Sequence, residues 1–152
     1  MLYILSIVLL ISFYQDLRFR GIQWFIFPLI LIFSIFLKWE TLSIGTLYNL
    51  LFIVLCLSGL TMYLSIKEGR IINITKGFFS WGDILILIAL CPLFSLEGYI
   101  LFFTVGTILT LVTFLIVNIW VKSKTVPYAG YMALFAMPTL FLEVNNSYLM
   151  LF

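Results

Sequence analysis

Apolar runs broken by short polar stretches organise this chain. They predict helices near Leu2 to Leu17, Ile22 to Leu37, Thr41 to Ile66, Ile84 to Leu96, Gly98 to Val121 and Tyr131 to Leu142. A bilayer crossing takes about 20 mostly apolar residues, so the length allows six or so spans with short connections and no soluble domain. The first and fourth runs fall short of a full crossing. Their helices are expected to extend through Asp16 and Asp83, to tilt, or to thin the membrane locally. No soluble linker, low-complexity tract or internal repeat interrupts the series. The expectation is one all-α, membrane-embedded domain over residues 1–152.

Composition agrees with that pattern. The chain is 64% hydrophobic and only 9% charged, with a mean hydropathy of +1.26, which a water-facing surface does not tolerate. A net charge of +2 without a long basic run excludes tracking of nucleic-acid phosphates. Residues Met1 to Tyr14 lack the basic start and small-residue cleavage site of a secretory signal. Arg18 and Arg20 follow the apolar run, which predicts a retained first span with its N-terminus outside.

Charge position sharpens the expected topology. Six spans with the N-terminus outside leave Arg18, Arg20, Lys67, Arg70, Lys76, Lys122 and Lys124 in cytoplasmic connections and only Lys38 outside. Seven of the eight basic residues thus lie on the side where short-loop lysine and arginine are retained. That rule alone explains Lys67, Arg70 and Lys76, although they could also attract anionic lipid or a substrate leader. The acids sort likewise, with Glu40, Glu97 and Glu143 at outer ends and Asp16, Glu68 and Asp83 at inner ones. Asp16 closes the first span and Asp83 opens the fourth, so two carboxylates are expected at similar depth on one face.

The absence of histidine from the sequence removes a Ser-His hydrolase, an HExxH metalloprotease and most histidine proton relays. Gly-rich phosphate cradles are missing, and no serine stands in a motif that suggests activation by lysine. Cys56 and Cys91 form no CxxC pair and read as packing residues. The aromatic residues read as lipid-facing or core packing, with Trp24, Trp39 and Trp120 as interfacial belt residues. No cofactor or metal is indicated.

An ionisable residue at a membrane boundary is a functional candidate, and two at one depth are a stronger one. Like charges held close together cannot both ionise, so one carboxyl keeps a proton while the other activates water. Simpler roles stay open. Asp16 could pair with Arg18 or Arg20, and Asp83 could be a first-turn acid facing its helix dipole.

Three segments carry a resemblance. Asp16-Leu17-Arg18-Phe19-Arg20-Gly21-Ile22 is similar to the stretch after the first core span of type IV prepilin peptidases. Ser80-Trp81-Gly82-Asp83 resembles the GxGD motif that they share with preflagellin peptidases and presenilin-type proteases. Val126-Pro127-Tyr128-Ala129-Gly130-Tyr131-Met132-Ala133 resembles their proline-aromatic stretch leading into the last span. The matches fall in the family's order and cover the whole peptidase core. Three departures stand out: Ser80 in place of the first glycine, Leu85 where a lysine is frequent, and Gln23 where proline is common.

The resemblance implies an intramembrane aspartyl endopeptidase of the cytoplasmic membrane, with Asp16 and Asp83 catalytic and a prepilin- or pseudopilin-like membrane protein as substrate. The first cytoplasmic connection lacks the cysteine-rich insertion of the larger enzymes, which implies cleavage without N-methylation. Gly82 is expected to permit a tight turn beside Asp83. Pro127 and Gly130 are expected either to break the inner entrance to the sixth span or to form a simple loop. The rival readings are a small proton- or cation-coupled transporter using the same acids, and a non-catalytic subunit that binds pilin-like helices.

Overall fold

The structure, a computed structural model, describes residues 1–38, 44–71, 74–76, 79–120 and 126–149. Six α-helices occur among them and no strand: α1 (Leu2–Phe19), α2 (Ile26–Leu37), α3 (Ile44–Glu68), α4 (Trp81–Leu90), α5 (Leu96–Trp120) and α6 (Tyr128–Leu149). Short 3-10 turns cover Ile74–Lys76 and Cys91–Leu93. Three helices, α1, α3 and α5, are long and apolar enough to cross a membrane, and this is a membrane protein on that ground. The apolar parts of the others are shorter, at Ile26–Leu37, Trp81–Leu93 and Tyr128–Phe141.

All six expected helices are present, and their boundaries differ for local reasons. α1 runs past Asp16 to Phe19 and stops where Arg20 turns left-handed, at φ 54°, with its N–H on the Asp16 carbonyl. α2 starts at Ile26 rather than Ile22. The intervening turn is fastened by Gln15, whose Oε1 accepts the Gln23 N–H at 3.2 Å, and Pro28 falls in the first helical turn, where no N–H is needed. A proline at position 23 would have no N–H to give, so glutamine suits this turn.

α4 begins at Trp81 because Ser80 caps it, and it ends early because Pro92 cannot donate. The ladder tightens, the Cys91 N–H turns to the Ile88 carbonyl, and Tyr99 Oη donates 3.0 Å to the Leu87 carbonyl. Asn49 Nδ2, fully buried on α3, donates to the carbonyls of Cys91 (2.9 Å) and Phe94 (2.8 Å). Side chains of α3 and α5 thereby satisfy the end of α4, as a buried helix terminus requires.

α6 and α4 occupy the middle of the bundle. α6 packs against α1, α4 and α5, and α4 packs against α2 and α6; α3 rests on α5 and on the 3-10 turn after α4. Gly106 of α5 lets α6 approach closely, since a Cβ there would meet Met132 Sδ at 2.9 Å. Leu5, Leu9, Ile30, Ile86, Leu87, Leu90, Met132 and Ala136 form the fully buried centre.

Candidate active site

Both aspartates continue the buried stripes of their helices. On α1 the stripe runs Leu5, Leu9, Ser12, Asp16, and on α4 it runs Asp83, Ile86, Leu87, Leu90. Side chains three or four apart share a helix face, so core packing of each stripe aims its carboxyl inward. Asp16 keeps 7% of its surface exposed and Asp83 8%.

They meet at the start of α6. Pro127, buried just before the helix, accepts the Tyr131 N–H at its carbonyl but has no side-chain oxygen to cap the first turn. Two of the open amides are taken by other helices. Gly130 N–H donates 2.7 Å to Asp16 Oδ2, and Ala129 N–H donates 3.0 Å to Asp83 Oδ1. The two carboxylates are close enough for their charges to interact, and Arg20 lies within electrostatic reach of Asp16. A helix N-terminus favours anions because its exposed amides carry partial positive charge.

Gly130 is required for this approach. A Cβ there would stand 2.9 Å from Asp16 Cβ, 3.0 Å from Asp16 Oδ2 and 3.3 Å from the Phe13 carbonyl. Any larger residue would push α6 off α1. Pro127 lies in irregular backbone just before α6, whereas Gly130 lies in the first helical turn rather than in a break or a loop.

Ser80 forms a reciprocal cap with Asp83. Its Oγ accepts the Asp83 N–H at 3.2 Å, while its own N–H donates 2.7 Å to Asp83 Oδ2. The backbone at Ser80 is extended, with φ −79°, so the position has no need of glycine. The tight turn expected at Gly82 is absent. Gly82 is helical, and a Cβ there would make ordinary contacts at 3.5 Å with Phe27 and Ser80.

Arg18 does not face the pair. Its guanidinium donates to the Tyr14 hydroxyl and lies over the Tyr14 and Phe19 rings. Leu85 is exposed on α4, away from the buried stripe. Lys122, Lys124, Glu40 and Trp39 lie outside the described residues. Among the described residues no group of three or more His, Cys, Asp or Glu offers a metal site.

Comparison of the chain with family models, with curated proteins and with solved structures found no match. The likeness to prepilin peptidases therefore rests on the three sequence segments alone.

Two participants escaped the sequence reading. Ala129 contributes a backbone N–H, which no side-chain motif reveals. Tyr128 shares a hydrogen bond of 3.0 Å with Thr107 and packs its ring against Phe79, at 5.3 Å between centroids, fixing the first turn of α6 from the side of α5 and the connection before α4. The aromatic residue after a proline was the available signal for it. Chemically, the assembly holds two interacting carboxyls on successive amides of one helix, and carboxyls held close together can share a proton.

Proposed function

We propose that this protein is an intramembrane aspartyl endopeptidase that removes the leader of prepilin-like membrane proteins, with Asp16 and Asp83 as the catalytic pair. The observation that carries the reading is the convergence of those two buried carboxyls on the consecutive amides of Ala129 and Gly130. The three segments on which the family resemblance rests supply all the parts of this one cluster. Water attacks the scissile carbonyl after giving its proton to the ionised carboxyl; the protonated carboxyl polarises that carbonyl and later assists departure of the amine.

The distribution of basic residues supports six spans with both ends outside, so that the pair opens toward the cytoplasmic face. The product amine stays unmethylated, because the chain has no cysteine-rich insertion.

One observation favours a second reading. Both carboxylates also cap α6, so a purely structural role for them would produce the same hydrogen bonds. Purified protein incubated in lipid with candidate prepilins separates the readings. Cleavage by the wild type and none by folded Asp83→Ala is the expected result; no cleavage of any prepilin by folded wild type would leave the capping role alone.

A further inference from the structure

The two aspartates are not equivalent, and their surroundings divide the labour between them. Resting on the catalytic reading of the pair, we infer that Asp83 is the carboxylate that stays ionised and receives the proton of water, whereas Asp16 carries the proton that polarises the scissile carbonyl.

Hydrogen bonding is the first asymmetry. Both oxygens of Asp83 accept a backbone N–H, Oδ1 from Ala129 at 3.0 Å and Oδ2 from Ser80 at 2.7 Å. Asp16 accepts one, from Gly130 to Oδ2 at 2.7 Å, and among the described residues no donor reaches its Oδ1. An N–H donor favours the charged form of the carboxylate that accepts it, so two donors outweigh one. A proton on Asp16 has an oxygen to sit on without displacing a donor. On Asp83 it would compete with a donor at either oxygen.

Helix position is the second asymmetry and is independent of the first. Asp83 lies in the first turn of α4, where unpaired amides make a positive pole, and Asp16 lies in the last turn of α1, where unpaired carbonyls make a negative one. The first turn of α6 acts on both acids. Among the described residues, the remaining charged or titratable groups within electrostatic reach are Arg20 beside Asp16 and Tyr128 beside Asp83. Arg20 opposes the assignment, but its side chain is exposed and solvent screens it. Gln15, Gln23 and Ser80, which line the neighbouring turns, carry no charge.

The experiment uses the fact that Asp16 and Asp83 are the only aspartates in the sequence. Full-length protein carrying carboxyl-13C aspartate, reconstituted in lipid at neutral pH, should show one isotope-shifted C=O stretch of a protonated carboxyl in the infrared. Gly130→Ala, which touches Asp16, should move that band, and Ser80→Ala, which touches Asp83, should leave it in place. Should Gly130→Ala not fold, Asp16→Glu exchanges the labelled carboxyl for an unlabelled one and should remove the isotope shift from the band, whereas Asp83→Glu should leave the shift in place. A band that responds to Ser80→Ala, or to both sides equally, would overturn the assignment, as would its absence from the wild type. The measurement needs no substrate. A correct infrared pattern in a protein that cleaves no prepilin would therefore refute the proteolytic reading and leave the proton assignment standing.

Discussion

The two ends of α4 face the same physical problem and solve it with different chemistry. At its C-terminal end, the carbonyls of Cys91 and Phe94 are buried, and the neutral amide of Asn49 satisfies both. Near its N-terminal end, the open amides of α6 are buried, and two acids from two helices satisfy them. A serine or asparagine would cap a helix without placing charge inside a membrane protein, where an ionisable group costs a few kcal/mol or more. The Asn49 end therefore uses what packing requires. The aspartate end uses more than packing requires, and the proposed catalytic role accounts for that excess.

Substitutions at the two ends should diverge accordingly. The largest effect is expected from Asp16→Asn and Asp83→Asn, each lowering single-turnover cleavage by about a thousandfold, with the double variant little worse than either single one because the pair acts as a unit. An asparagine oxygen still accepts an α6 amide, so circular dichroism should report a retained fold. Near-normal cleavage by either folded variant would dissolve the contrast between the ends.

Gly130→Ala comes next. It should lower cleavage by about a hundredfold, since displacing a reacting group by an ångström costs that much. Its thermal destabilisation should shrink in an Asp16→Gly background, where the two nearest atoms its Cβ would strike, Asp16 Cβ and Oδ2, are gone and only the Phe13 carbonyl at 3.3 Å remains; an unchanged penalty there would mean that the glycine serves something other than Asp16.

The smallest effect on catalysis belongs to Asn49→Ala. Leaving two buried carbonyls without a donor should cost about 1–3 kcal/mol in reversible unfolding, with cleavage per folded molecule unchanged. A large catalytic defect with intact stability would show that the two ends are coupled.

Much of this was legible from sequence, because a hydrophobic run long enough for a membrane helix is recognisable whatever it packs against. The six helices and the extension of α1 and α4 through Asp16 and Asp83 followed from run length and from the acids at their ends. The facing of each helix did not. Leu, Ile and Phe occupy lipid-facing and core positions alike, so nothing in the α1 run singles out Leu5 and Leu9 from Ile4 and Leu10, which are exposed. Ser80 and Gln23 read as departures from a family pattern until their partners, the Asp83 carboxylate and the Gln15 side chain, were in place. The role of Gly130 depends on a contact with a residue on the first helix. No local pattern around Val126 to Ala133 encodes that distance.

The shortness of α2 has a consequence for hydration. Its 12 residues rise only about 18 Å, against roughly 30 Å of hydrocarbon in an ordinary bilayer. Local thinning of the bilayer is one way in which so short a flank is accommodated, beside snorkelling of its end residues and association with other helices. α2 packs against both α1 and α4, the helices that carry the acids. On the catalytic reading, thinning of the bilayer at α2 would give water, the second reactant of the proposed hydrolysis, its shortest route to the carboxyl pair from that side.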